Sequence, residues 1–206
     1  TGEQIDLDII VCQDTVVLHY LKKNIGKYNL SLSKYDDEYN YFYKISGTSS
    51  KSFIDILNEL NIKDENEIPH LYKCNSNEVR LKLLAGIIDC YGTYNSSSNI
   101  YEFSLKTPIL QDLIYLCRSL GFACYIKNTR LILRGKGIDE IPVLIPTKKA
   151  KYWKQIKNFT IADINVEYVN KDNYYGFTLD GNSRYIMGDF TVTHNTCTAI
   201  TIAEGF

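Results

Sequence analysis

The 206-residue chain carries 23 Lys and Arg against 24 Asp and Glu, so its formal net charge is -1 at pH 7, and 45% of its residues are hydrophobic. This balance is typical of a globular protein with one or two small domains, and it lacks the basic excess that nonspecific nucleic-acid affinity usually needs. No apolar run approaches membrane-spanning length and no signal peptide is visible, so we expect no membrane partner and a cytoplasmic or nuclear location.

The six cysteines show neither a disulfide pattern nor a metal-binding pattern. They are scattered without paired spacing, at Cys12, Cys74, Cys90, Cys117, Cys124 and Cys197. We therefore expect reduced, mostly buried thiols and no zinc site. The sequence begins at Thr1 and has a single methionine, Met187, so we expect it to be a piece of a longer protein.

The first sixty residues predict alternating strands and helices. Strands are expected within residues 5–12 and 30–46, and helices at residues 15–25 and 50–60. Each element is short, as is typical of a small mixed domain.

Residues 80–92 predict a helix with a closely packed face. Four apolar residues recur there at helical spacing: Leu81, Leu84, Ile87 and Ile88. The small pair Ala85-Gly86 lets a partner helix approach closely, and Gly92 is predicted to end the helix as a C-terminal cap.

The region after this helix predicts further strands and helices. The expected elements are strands within 94–104, a helix at 107–121 with Pro108 in its first turn, and a hairpin of strands 123–127 and 130–134. Residues 135–137, with Pro142 and Pro146 beyond them, are typical of a linker leaving the domain. The basic residues 148–157 predict a helix that either contacts a DNA backbone or is an ordinary solvated face, and residues 161–169 predict a strand.

The chain ends in a pattern with a chemical meaning. Residues 190–196, Phe-Thr-Val-Thr-His-Asn-Thr, form an apolar strand pattern closed by His194 and Asn195 and followed by Thr196. Residues 174–189, Tyr-Tyr-Gly-Phe-Thr-Leu-Asp-Gly-Asn-Ser-Arg-Tyr-Ile-Met-Gly-Asp, predict two short strands around a Gly-Asn turn. In order and spacing, these runs resemble the last two sequence blocks of an intein, which end at its C-terminal splice junction.

The resemblance implies a reaction of the backbone itself. The carboxamide nitrogen of Asn195 would attack its own main-chain carbonyl carbon, forming a succinimide and releasing the amine of Thr196. His194 would give a proton to the leaving nitrogen, and the Thr196 hydroxyl would accept the upstream flank as an ester. This chemistry needs no cofactor. Its partner would be an N-terminal intein half, because no residue before Thr196 matches the family's first nucleophile or its Thr-x-x-His block.

Two positions depart from the intein pattern. Gly176 stands where many inteins carry an Asp, and Arg184 stands where they carry a His. Neither residue can act as a general acid at neutral pH. Arg184 is still a candidate catalytic residue, because a guanidinium can stabilise negative charge on a carbonyl oxygen. The alternative is an ordinary exposed strand arginine.

Residues 80–92, Arg-Leu-Lys-Leu-Leu-Ala-Gly-Ile-Ile-Asp-Cys-Tyr-Gly, resemble the motif of LAGLIDADG (DOD-type) homing endonucleases, which many inteins carry as an insert. The resemblance implies half of a β-saddle that lies in the DNA major groove. Asp89 matches the first acid of the motif and is a weak candidate metal ligand. Tyr91 stands where the metal-binding acid is expected, and a neutral phenol is a poor ligand for a hard divalent cation. Mg²⁺ is therefore expected only for residual endonuclease activity.

DNA contacts would come from basic side chains of this domain. The candidates are Lys106, Arg118, Lys127 and Arg130, each of which could also be an ordinary solvated charge. DNA binding without cleavage is a possible outcome of this composition.

The expected fold class is α+β. Residues 1–146 would form a LAGLIDADG homing-endonuclease-like domain whose first motif lies upstream. Residues 147–195 would supply the C-terminal β-strands of a Hint-type splicing domain. Residues 196–206 resemble the helix that follows a Walker A loop, which implies a P-loop ATPase or helicase-like host.

Three functions stay open. The leading hypothesis is an intein C-terminal fragment that splices with its N-terminal half. The alternative is a DNA-binding or DNA-cleaving homing endonuclease, with cleavage impaired by Tyr91. A fragment of an ATPase with an inserted globular domain would show no cleavage at Asn195.

Overall fold

The chain folds as an α+β protein whose sheets are all antiparallel within the described residues. The computed structural model describes residues 9–35, 41–47, 52–60, 62, 67–105, 109–154, 161, 165–168, 170–171, 173 and 177–194. In these ranges no helix is both long and apolar enough to cross a lipid bilayer.

The first unit is a three-stranded sheet with strand order β1-β3-β2. Its elements are β1 (Ile9–Val11), α1 (Thr15–Asn24), β2 (Leu30–Lys34), β3 (Phe42–Gly47) and α2 (Phe53–Glu59). Helix α1 begins where the Asp14 carboxylate accepts the N–H groups of Val16 and Val17, and α2 begins with a capping box between Ser52 and Asp55. These predicted elements are confirmed, except that residues 5–8, 36–40 and 50–51 lie outside the described residues.

The second unit is a four-stranded sheet with strand order β4-β5-β7-β6. Its elements are α3 (His70–Lys73), α4 (Asn77–Tyr91), β4 (Gly92–Asn95), β5 (Ile100–Phe103), α5 (Ile109–Ser119), β6 (Ala123–Lys127) and β7 (Arg130–Arg134). The predicted motif helix is confirmed and begins earlier than expected, because the Ser76 hydroxyl accepts the N–H of Val79 as an N-cap. Helix α3 was not predicted.

The main hydrophobic core lies between one face of this sheet and its helices. Its most deeply buried side chains are Leu84, Ile88, Tyr101, Phe103, Leu113, Leu116, Cys117, Leu131 and Leu133. The strand members alternate along β5 and β7 and meet in register, with Tyr101 opposite Leu133 and Phe103 opposite Leu131. The opposite face of the sheet carries charged side chains, among them Glu102, Lys127 and Arg130, together with Tyr125 and the buried Ile132.

The two units share a topology. In each one, a strand leads into a helix and then into a hairpin whose second strand lies in the middle of the sheet. The order β1-β3-β2 with α1 after β1 therefore repeats as β5-β7-β6 with α5 after β5. The second unit adds α4 and β4 before this repeated element.

Gly92 ends α4 for a reason other than the predicted one. Its φ of -81° and ψ of 145° are extended, so it is not a left-handed cap. A Cβ at this position would lie 3.0 Å from both Cα and O of Ile88. Glycine is needed because β4 leaves the helix in close contact with its last turn.

The segment predicted as a linker belongs to the core. Ile138, Ile141 and Val143 are buried in the main hydrophobic cluster, so the linker prediction is wrong. Two short 3₁₀ turns, Ile138–Glu140 and Pro146–Lys148, carry the chain across the domain. The helix predicted for residues 148–157 is also wrong over residues 149–154, which form no regular structure, and residues 155–157 lie outside the described ranges.

The chain closes with a two-stranded hairpin of β8 (Arg184–Ile186) and β9 (Val192–His194). The predicted turn at Gly181 exists, with φ of +65°. The second of the two strands predicted around that turn is confirmed as β8, whereas the first is not formed at residues 177–179, and residues 174–176 lie outside the described ranges. The strand expected within residues 161–169 is likewise not formed at residues 161 and 165–168. Gly176 lies outside the described residues.

Candidate functional sites

The C-terminal hairpin brings two of the predicted catalytic residues together. In the antiparallel register, Arg184 lies opposite His194. The Cβ atoms of such cross-strand partners are about 5 Å apart. The imidazole of His194 is half-buried, whereas the guanidinium of Arg184 is exposed. Asn195 and Thr196 follow His194 directly in the sequence but lie outside the described residues.

The turn of this hairpin is held by its own polar groups. The Asp189 carboxylate accepts the Thr191 N–H at 2.9 Å and the Thr191 hydroxyl at 3.0 Å. These two hydrogen bonds lower the pKa of Asp189 from its ordinary value. The carboxylate is therefore ionised at neutral pH and keeps the turn closed.

The same turn contacts helix α5. The rings of Tyr115 and Phe190 meet edge to face, with centroids 4.8 Å apart. Arg118 Nη1 donates to the main-chain oxygen of Asp189 at 3.4 Å, while its Nε donates to Cys124 O at 3.1 Å. A cavity of about 470 Å³ lies between the turn and the helices, lined on the helix side by His70, Lys73, Gln111, Asp112, Ile114, Tyr115 and Arg118.

The Asp89 carboxylate, a candidate metal ligand, is bound by two main-chain N–H groups. Its side chain is only 8% exposed, and its two carboxylate oxygens accept the N–H groups of Leu144 and Ile145 at 2.9 and 3.0 Å. Tyr91, at the position expected to bind metal, is 59% exposed and offers a neutral phenol. Within the described ranges no group of three or more His, Cys, Asp or Glu residues could hold a metal ion. The residues present at this site do not fit Mg²⁺.

The segment after Ile145 is fastened to α4 and the sheet. Lys148 Nζ donates to the main-chain oxygens of Ile88 and Asp89, at 3.2 and 2.7 Å. The Tyr101 hydroxyl donates to Lys148 O at 2.8 Å and accepts the Ala150 N–H at 3.0 Å. Burial raises the pKa of Tyr101 to about 12, so the phenol stays protonated and can donate.

Removing the Asp89 carboxylate should destabilise the fold. Asp89→Ala leaves two N–H groups without their acceptor in a buried region, at a cost of about 2–4 kcal/mol in the free energy of unfolding. Urea denaturation measures the loss. The exposed Asp139→Ala, in the neighbouring 3₁₀ turn, is the matched control and should change stability by less than about 0.5 kcal/mol. Equal stability of the two variants would contradict the structural role of Asp89.

Two of the predicted DNA-contacting residues lie together. Lys127 and Arg130 are register partners at the end of the β6–β7 hairpin, and both are exposed. Arg130 Nη1 donates to Glu102 Oε2 at 2.9 Å, and this hydrogen bond lowers the pKa of Glu102. Arg118 is not part of this group. It lies on α5 and donates to the main-chain oxygens of Cys124 and Asp189. Lys106 lies outside the described residues.

The contacts that sequence reasoning missed all join residues far apart in the chain. Asp89 reaches Ile145, Tyr101 reaches Ala150, and Tyr115 reaches Phe190. No local pattern predicts the partner in such a pair. The one available signal was Asp89 at the end of an apolar helix, because a carboxylate that becomes buried there needs hydrogen-bond donors from elsewhere in the chain.

Comparison with known proteins gives no further guide to these sites. No protein-family model matches the chain, and no curated protein matches it. The functions proposed below depend on the geometry of the described residues and on the motif resemblances.

Proposed function

We propose that this chain is the C-terminal portion of an intein and performs the final steps of protein splicing with an N-terminal half, supplied in trans or encoded upstream. The observation that carries the proposal is the β8–β9 register. It sets Arg184 opposite His194, directly before the Asn195-Thr196 bond. Two candidate catalytic side chains, ten positions apart in the sequence, are thereby cross-strand neighbours.

Cleavage is a ring closure on Asn195. The side-chain nitrogen attacks the main-chain carbonyl carbon of the same residue, and the bond from that carbon to the Thr196 nitrogen breaks. A succinimide forms, and Thr196 leaves with a free amine. Because nucleophile and electrophile belong to one residue, positioning supplies much of the rate. His194 protonates the leaving nitrogen, which would otherwise depart as an amide anion.

Arg184 has a different task from the histidine that many inteins carry at this position. A guanidinium keeps its protons at neutral pH and cannot act as an acid. It can stabilise the negative charge that develops on the carbonyl oxygen during attack. In the hairpin register Arg184 lies opposite His194, the residue that precedes Asn195 in the sequence.

Thr196 joins the flanking segments. Its hydroxyl oxygen attacks the activated acyl group at the upstream junction, forming an ester and releasing the intein's first side chain. After Asn195 has cyclised, the free Thr196 amine attacks that ester carbonyl, so a peptide bond replaces the ester. In the joined protein, the resemblance of residues 196–206 to the helix after a Walker A loop makes a P-loop ATPase the proposed host.

Intact-mass spectrometry tests the proposal. The chain is mixed with an intein N-terminal half that begins with Cys or Ser and carries its own upstream flank. We expect loss of residues 196–206 from the chain and their appearance on the partner's flank. The Asn195→Ala variant is the control: it should keep residues 196–206, either at its starting mass or with the upstream flank attached to Thr196 as an ester. An unchanged wild-type mass in the mixture would contradict splicing.

A second candidate function is DNA binding by a LAGLIDADG-type domain. The observation that favours it is the repeated strand-helix-hairpin topology of the two units, together with the motif helix α4. Gly86 on α4 is exposed, and a Cβ there would meet no described atom within 4 Å, which leaves the room that the resemblance assigns to a partner helix. The polar sheet face with Lys127 and Arg130 would meet the DNA.

This domain should bind DNA without cutting it. With the Asp89 oxygens bonded to main-chain N–H groups and a phenol at Tyr91, we expect no Mg²⁺-dependent nicking of a supercoiled plasmid library. Lys127→Glu combined with Arg130→Glu should weaken retention of randomised duplexes roughly tenfold, whereas Lys136→Glu should not. Mg²⁺-dependent nicking by the wild-type chain would contradict the account of Asp89 and Tyr91.

A further inference from the structure

The turn of the C-terminal hairpin is strained at Phe190. The loop of residues 188–190 is closed by the Met187 N–H donating to Thr191 O at 2.8 Å and the Phe190 N–H donating to Met187 O at 2.9 Å. Phe190 has φ of +70°, in the left-handed region. Glycine or asparagine is usual at the last position of such a three-residue loop, and a bulky side chain there is an outlier.

The strain is offset by a contact outside the hairpin. The Phe190 ring packs edge to face on Tyr115 of α5, with centroids 4.8 Å apart and ring planes at 67°. This is a favourable geometry for two aromatic rings. The neighbouring Asp189 carbonyl accepts a hydrogen bond from Arg118, one turn further along α5. A glycine would relax the backbone but would carry no ring to make this contact.

Helix α5 is a rigid base for such a contact. Its inner side chains Leu113, Leu116 and Cys117 are fully buried in the core. The outer residue Tyr115 has its hydroxyl 3.5 Å from Cys74 Sγ, and the Arg118 guanidinium is also held by Cys124 O. The surface that meets the hairpin is therefore fixed to the body of the second unit.

The hairpin itself needs an external support. Strands β8 and β9 pair over three residue positions, and a lone two-stranded hairpin is marginally stable in water. Phe190 lies four residues before His194 in the same hairpin arm. Because the arm is short, motion of the turn would also displace the imidazole of His194.

We propose that helix α5 is a docking platform that positions His194 and Arg184 for cleavage, with Tyr115 and Phe190 as the positioning residues. This inference rests on the proposed splicing function. It gives the endonuclease-like domain a part in splicing that is independent of DNA. The catalytic groups stay on the hairpin, and α5 determines where they lie.

Variants of Tyr115 on α5 test the ring contact first. Tyr115→Ala removes the ring, and Tyr115→Phe is the matched control because it removes only the hydroxyl that contacts Cys74. Amide hydrogen exchange at Met187 and Phe190 should be about three- to tenfold faster in Tyr115→Ala, and cleavage at Asn195 slower by a similar factor. Tyr115→Phe should keep both wild-type values. Wild-type exchange in Tyr115→Ala would overturn the docking platform.

Phe190→Gly separates docking from simple folding of the hairpin. If the turn served only to close the hairpin, glycine would relieve the left-handed φ and leave cleavage unchanged or faster. The docking proposal predicts slower cleavage despite the relaxed backbone, by about the factor found for Tyr115→Ala. Unchanged or faster cleavage would overturn it.

The two proposals fail in different ways. If the wild-type chain shows no cleavage at Asn195 with an N-terminal half, the splicing proposal fails, and the positioning step fails with it. If the wild type cleaves but Tyr115→Ala cleaves equally fast, splicing stands and the α5 platform is overturned.

Discussion

Replacing His194 by alanine is expected to slow release of Thr196 by about two to four orders of magnitude, the usual contribution of a positioned general acid. The amide nitrogen is a poor leaving group, because it departs only with a proton. In the β8–β9 register Arg184 lies opposite His194, and a guanidinium cannot give up a proton at neutral pH. Time-resolved intact mass of the mixture with an N-terminal half measures the rate.

His19→Ala is the matched control, because His19 is an exposed histidine on α1, in the first unit. It should cleave at the wild-type rate. Arg184→Lys should keep a positive charge opposite His194 and slow cleavage less than Arg184→Ala, in which that charge is missing. A His194→Ala rate within threefold of wild type would remove His194 from the mechanism.

Replacing Thr196 by alanine is expected to abolish ligation while leaving cleavage at Asn195. The hydroxyl oxygen is the acceptor of the upstream flank, so without it no ester forms and no joined product can follow. The Asn195 ring closure does not use the Thr196 hydroxyl, and alanine retains the leaving nitrogen. Mass spectrometry should show residues 1–195 and a released C-terminal peptide, with no joined flanks.

Thr196→Ser is the matched control for this variant. Serine keeps the hydroxyl and removes only a methyl group, so ligation should persist. Joined flanks from Thr196→Ala would contradict the role of Thr196. Absence of both cleavage and ligation would mean that alanine also disturbs the geometry of residue 195.

Much of the second unit could be predicted because its signals are local. Helix α4 follows from apolar residues at helical spacing, although its start at the Ser76 N-cap was not predicted. The β6–β7 hairpin follows from two short strand patterns separated by Asn128 and Thr129, both of which have positive φ. Each of these elements is determined by residues within a few positions of one another.

The errors arose where distant contacts decided the structure. The glycines and prolines of residues 135–146 are typical of a linker, yet Ile138 and Val143 bury in the core and Asp89 binds Ile145 across 56 positions. At the C-terminus, Gly181 gave the stronger turn signal, but the hairpin closes further along. The actual turn uses Phe190 in a conformation that no sequence rule favours for phenylalanine.

The candidate site was predicted residue by residue but not as an arrangement. His194 and Arg184 were each identified from the motif, whereas their cross-strand pairing depends on the turn at residues 188–190. Asp89 was named as a weak candidate metal ligand from the motif alone. In the fold its carboxylate oxygens accept the N–H groups of Leu144 and Ile145, which the motif does not predict. Such partners become visible only when the chain is folded.

The proposed splicing depends on Asn195 cleaving its own backbone by forming a succinimide. The most direct test is the mass of the residues 1–195 product, isolated at mildly acidic pH soon after mixing with an N-terminal half. Cyclisation predicts a product one water lighter than residues 1–195 with a free C-terminal carboxylate, followed by slow gain of that water as the ring hydrolyses. A product that carries the full carboxylate mass from the first time point would mean ordinary hydrolysis, and would contradict the proposed chemistry.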